Sequence, residues 1–120
     1  MLPSKKEQIE ALLKGEACEL VEKYISPHNI SGDSYKVIFT VKKHEILDYL
    51  KKNYSLNEVT KQKPGSDDGF YAIPIYSGFK VYEQERGIRF LEHILKSEDE
   101  VWESFVKYLL DISGTGMDFT

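Results

Sequence analysis

Apolar residues recur along this chain in two periods, and the change from one to the other predicts the order of its elements. Near the start, Ile9, Leu12 and Leu13 fall three and four apart, the spacing of one helical face. Ser4-Lys5-Lys6-Glu7 has the form of a capping box ahead of them, and Gly15 interrupts the run. From Glu16 to Ile25 the same spacing returns in Ala17, Leu20, Val21 and Tyr24. Ser26-Pro27 and Ser31-Gly32-Asp33 then end the helix in a loop.

The period shortens at Tyr35-Lys36-Val37-Ile38-Phe39-Thr40-Val41. Its odd positions are apolar and its residues are β-branched or aromatic, which predicts a strand. Lys43 to Asn53 returns to helical spacing and buries Ile46, Leu47 and Leu50. Pro64-Gly65-Ser66-Asp67-Asp68-Gly69 is the strongest loop signal in the chain. A meander follows, with Phe70 to Tyr76 as one strand and Phe79 to Glu83 as the next. Pro74 places the first at a sheet edge or bulge, since proline cannot donate to a ladder. Ile88 to Leu95 fits either period. Ser97-Glu98-Asp99-Glu100 is a second capping box, opening a helix to about Ile112 whose buried stripe is Val101, Phe105, Tyr108, Leu109 and Ile112. Strands grouped between helices, without βαβ alternation, predict an α+β fold: N-terminal helices, a mostly antiparallel sheet with a C-terminal meander, and a C-terminal amphipathic helix packed on the sheet.

A chain of 120 residues predicts a single domain, 1–120. Its surface would be roughly 65% buried on folding, enough for stability without staples. Cys18 is the only cysteine, which excludes an intrachain disulfide and a zinc site built from several cysteines. It falls at the edge of an apolar helical face and reads as a small core residue. No signal segment or membrane-length apolar run is present, so a cytoplasmic location is expected.

Net charge is −4 and the imbalance lies wholly in residues 61–120, which carry seven basic and eleven acidic residues. That excludes nucleic-acid backbone binding as the first expectation and favours a basic partner or plain solubility.

Catalytic constellations are missing. His44-Glu45 lacks the second histidine of a zinc-protease helix, because Asp48 stands in its place. No serine sits in a Gly-x-Ser-x-Gly elbow. The loop around Asp67 and Asp68 carries carboxylates where a phosphate cradle needs free donors, and it lacks the spacing of an EF-hand. An enzyme is therefore not expected, nor any cofactor or metal. The one enzymatic alternative would assemble Glu85, Arg86 and His93 in a concave pocket.

Gly78-Phe79-Lys80-Val81-Tyr82-Glu83-Gln84-Glu85-Arg86-Gly87, followed by Lys96-Ser97-Glu98-Asp99-Glu100 and an amphipathic helix, resembles small bacterial immunity proteins of polymorphic toxin systems. The likeness covers about the last third of the chain. It implies a cytoplasmic protein that neutralises a cognate toxin domain by occluding its active site or holding it inactive, with no membrane partner. For such a partner the contact residues would be the carboxylates Asp67, Asp68, Glu83, Glu85, Glu98, Asp99 and Glu103, with Tyr76, Tyr82 and Trp102 as aromatic anchors. The alternative is an acidic secretion chaperone or adaptor that holds a client segment. Monomer and homodimer both remain open at this point.

Overall fold

A computed structural model describes residues 2–119 and gives the chain an α+β fold. Two compact units make it up, one formed by the chain up to Tyr49 together with the segment from Leu109, the other by Leu50–Tyr108.

In the first unit α1 spans Lys5–Lys14 and α2 spans Ala17–Tyr24, close to the predicted bounds. Ser4 caps α1 by accepting the Glu7 N–H at 3.1 Å. The reciprocal half of the capping box does not form. The Glu7 carboxylate instead takes Lys23 Nζ at 2.6 Å and the Tyr24 hydroxyl at 2.5 Å, clamping α2 to α1. Gly15 ends α1 in the left-handed region (φ 71°), and the amides of Gly15 and Glu16 return to the carbonyls of Leu12 and Ala11. After a 3-10 turn at Pro27–Asn29, a short helix α3 runs over Ser34–Ile38, and α4 over Lys43–Asn53.

The predicted strand at Tyr35–Val41 is thus corrected to a helical turn followed by an extended segment. Two local features explain it. The Ser34 hydroxyl accepts the Ser31 N–H at 2.8 Å, closing the preceding turn. Phe39 then stacks on Tyr35 four residues back, with ring centroids 6.3 Å apart, and Val37 is left outside. Phe39 itself is extended, and the backbone after it pairs with a side chain instead of a strand. Buried Gln8 accepts the N–H groups of Thr40 at 2.7 Å and Val41 at 3.1 Å and donates to the Pro3 carbonyl at 3.2 Å. Donors that would have sought a ladder are satisfied. Cys18, expected in the core, is exposed on α2 and donates to the Glu22 carboxylate at 3.3 Å.

In the second unit a one-turn helix α5, Leu56–Val59, precedes three antiparallel strands, β1 (Gly69–Ile75), β2 (Gly78–Glu85) and β3 (Ile88–Leu95), in the order β1-β2-β3. The ambiguous Ile88–Leu95 segment is therefore a strand. The last helix, α6, spans Glu98–Ile112. Ser97 caps it by accepting the Glu100 N–H at 3.2 Å.

Alternation gives the sheet two faces. Phe70, Ala72, Val81 and Glu83 point to one side, where Phe70 meets Phe105 at 5.6 Å and Tyr108 at 5.5 Å on α6. Tyr71, Tyr82 and Gln84 point to the other. There the loop ahead of β1 lies over them, because Gln84 Nε2 donates to the Gly65 and Asp67 carbonyls and the Tyr71 hydroxyl donates to the Asp67 carbonyl at 2.6 Å. Val81, Val101, Phe105 and Ala72 are buried, each large side chain contributing roughly 1.5–3 kcal/mol. Ile112, assigned to the buried stripe of α6, is exposed.

Candidate partner-binding surface

Every residue singled out as a partner contact lies in the second unit, but the fold divides them into three groups. Tyr82 and Trp102 belong to the interior, with 1% and 5% of their surface exposed. Tyr82 stacks on Tyr71, and Trp102 packs edge-on against Phe105 at 6.2 Å. Alternation along β2 puts Tyr82 inward beneath the loop, and the register of α6 turns Trp102 the same way as Phe105. Neither is an aromatic anchor at the surface, and both assignments are corrected.

The second group lies where β3 leads into α6. Glu98, Asp99 and Glu103 are exposed on the first turns of the helix, and Asp99 pairs with Lys51 at 2.8 Å. At the same end of the sheet Tyr76 tips the β1–β2 hairpin, fully exposed. Gly78 is required there by geometry. Its φ is 141°, and a Cβ would stand 2.2 Å from the Leu95 carbonyl oxygen.

The third group is gathered by the β2–β3 turn. Arg86 and Gly87 both have positive φ, 52° and 80°, the pattern of a type I′ hairpin turn. The Asp68 carboxylate accepts the Arg86 N–H at 2.9 Å and so ties the loop to this turn. Glu83 and Glu85, two apart on β2, share the face that meets α6. Tyr108 stands beside them. Burial first, and then the charges of Glu83, Asp68 and Glu85, push its hydroxyl pKa up. Asp67 is exposed in the same loop, while its backbone carbonyl holds Tyr71 and Gln84.

The two carboxylate groups stand at opposite ends of the sheet. An eight-residue strand separates them, roughly 23 Å at about 3.3 Å per residue. One flat contact centred on either end reaches only part of the set.

Between β3 and α6 lies an open groove of about 250 Å³, lined by Glu83, Leu91, His93, Ser104, Lys107 and Tyr108 among others. Pockets that enclose a small molecule run to roughly 300–1,000 Å³, so this groove suits a side chain better than a whole ligand. β3 itself carries a bulge. Val81 pairs with His93 but Glu83 pairs with Phe90, leaving Leu91 and Glu92 both opposite Tyr82. Leu91 takes up the extra residue with φ 56°, an uncommon conformation for a bulky side chain. His93 Nδ1 lies 2.8 Å from the Leu91 carbonyl, and since a carbonyl only accepts, that nitrogen carries the proton. Sequence periodicity gave no sign of the bulge, because the apolar residues of Ile88–Leu95 fit two periods at once.

Glu85 and Arg86 sit at the turn, whereas His93 pairs with Val81, four residues along β2 from Glu85, roughly 13 Å away. These three side chains do not converge. Among the described residues no three His, Cys, Asp or Glu side chains are placed to hold a metal ion, and no helix is long and apolar enough to cross a membrane.

Charge is distributed differently from what the halves of the sequence suggest. Residues 50–108 carry nine basic and ten acidic side chains, a net −1, and the remaining −3 belongs to the helical unit. Negative potential on the second unit is therefore local, at the turn and at the start of α6.

Comparison with protein-family models, with curated proteins and with solved structures finds no match.

Proposed function

We propose that this protein is an immunity protein, acting by binding a cognate toxin domain and without catalysing a reaction. The observation that carries the reading is the placement of Glu83 beside half-buried Tyr108 in the groove on α6, with Asp68 tied to the neighbouring turn through the Arg86 N–H. A half-buried aromatic ring on a packed helix, with polar and charged side chains around it, supplies an anchor with a polar rim, the anatomy of an interface centre. Its chemistry suits a partner presenting lysine or arginine, and local negative charge speeds encounter with such a surface. The resemblance of the Gly78–Gly87 and Lys96–Glu100 segments to immunity proteins points to a bacterial toxin as that partner and to a cytoplasmic site of action.

The test is co-expression with a toxin domain encoded beside this gene. Protection from toxicity by the wild type, weakened by Glu85→Lys and Asp68→Asn, supports the reading. Undiminished killing in the presence of folded, abundant wild-type protein is the contrary result.

A second reading, an adaptor that holds an extended client segment, is favoured by one observation. Ile88, Phe90, Leu91 and Ile94 of β3 are apolar and exposed. Binding of an extended apolar peptide by the protein, in the absence of protection from any toxin, would favour that reading.

A further inference from the structure

The two edges of the sheet are finished differently. Along β1 two of the outward backbone groups are already used. The Lys61 amide donates to the Phe70 carbonyl at 3.0 Å and the Lys61 carbonyl accepts the Ala72 N–H at 2.8 Å. The next outward position is Pro74, which has no N–H to offer. Among the described residues β3 has no strand on its outer side, and its eight residues include neither lysine nor proline, the residues that commonly blunt an open edge. Four of them are exposed and apolar, Ile88 at 66%, Phe90 at 40%, Leu91 at 60% and Ile94 at 52%.

The bulge adds a second observation. Arg89 and Glu92 are three residues apart, so a regular strand would turn them to opposite faces. Here they share one. The Arg89 guanidinium lies over the Tyr82 ring at 4.5 Å, and the Glu92 carboxylate pairs with Lys80 at 2.8 Å, two residues from Tyr82 on the same strand. The left-handed conformation at Leu91 makes this possible and costs strain at an exposed site where the single chain gains no burial from it. Opposed residues of an antiparallel pair share a face. A two-fold axis through the Phe90–Leu91 bond would therefore set Arg89 of each copy against Glu92 of the other, on one face. Phe90 would meet Leu91 on the opposite face. The edge is complementary in charge to itself.

We propose that β3 is a self-association edge, on which a second copy of this chain pairs antiparallel about a two-fold axis at Phe90–Leu91, joining two sheets into one of six strands. Such a contact is isologous and closes on itself, so it yields a dimer and no longer polymer.

Sedimentation equilibrium over a wide concentration range tests it, with circular dichroism to confirm that each variant is folded. Wild-type protein is expected to shift from monomer to dimer as concentration rises. Arg89→Glu and Glu92→Arg, each placing like charges across the axis, are expected to raise the dissociation constant roughly tenfold or more. An equimolar mixture of the two variants should dimerise again, because the acidic pair of one then faces the basic pair of the other. A wild type that stays monomeric throughout overturns the proposal, as does a dimer indifferent to these substitutions. Folded single variants that remain monomeric when mixed overturn the two-fold register.

Discussion

Tyr71 and Tyr82, opposed on β1 and β2, stack with centroids 4.8 Å apart and planes 11° apart, yet only one has its hydroxyl bonded. Tyr71 donates to the Asp67 carbonyl, while the Tyr82 hydroxyl is buried with no partner among the described residues. A buried unsatisfied polar atom costs about 1–3 kcal/mol. Tyr82→Phe should therefore be neutral or stabilising by up to about 1 kcal/mol, with the stack preserved. Tyr71→Phe should lower the urea midpoint, because it frees the loop that carries Asp67 and Asp68. Equal losses in both variants would contradict this assignment.

Gln8 is the tie between α1 and the extended segment at Thr40–Val41. Gln8→Ala leaves two backbone donors without their acceptor and opens a cavity. We expect a loss of roughly 2–4 kcal/mol by urea denaturation, since each orphaned buried group adds its own cost. A loss below ~1 kcal/mol would mean that solvent reaches those amides readily.

Two glycines in the meander should behave differently on substitution. Gly87 occupies a left-handed turn position with open space about its Cα, so Gly87→Ala should cost about 1–2 kcal/mol and Gly87→Asn less. Gly78 is closed off by the Leu95 carbonyl, so Gly78→Ala must move the backbone and should cost more than Gly87→Ala. Thermal denaturation of the two variants checks the order.

Much of this architecture was legible in the sequence, and what was not has local causes. The helix at Lys43–Asn53 and the meander were read with their bounds nearly correct, because helical spacing in one and turn residues in the other agree with the tertiary outcome. Tyr35–Val41 was misread because alternation describes side chains and says nothing of whether a neighbouring strand exists to take the backbone. Cys18, Tyr82 and Trp102 were misplaced for a related reason. Periodicity finds a face, but only packing decides whether that face is covered. Of the carboxylates, Asp68, Glu83 and Glu85 lie at the β2–β3 turn end of the sheet, and Glu98, Asp99 and Glu103 at the other, on the first turns of α6. That division depends on strand register, which no spacing rule contains.

Acid should loosen the helical unit first at Glu7 and Glu45. Hydrogen bonds from Lys23 and Tyr24 hold the Glu7 carboxyl below the usual carboxylate range, and Lys5 does the same for Glu45. A depressed carboxyl pKa stabilises the fold above the unfolded value, and that share is lost as pH falls through the folded value. The raised pKa values of Lys23 and Tyr24 act in the opposite sense, with stability lost as pH rises through them. Glu7→Gln should flatten the acid limb of a stability–pH profile, and an unchanged slope would remove Glu7 from the account.

The most direct test of the partner-binding reading is calorimetric titration of purified protein into an inactivated form of the toxin domain encoded beside its gene. The account predicts one-to-one binding that weakens with Glu85→Lys and Asp68→Asn and with rising salt, while Glu98→Gln at the far end has little effect. Binding indifferent to the carboxylates around Tyr108, or no binding at all by folded protein, would contradict it.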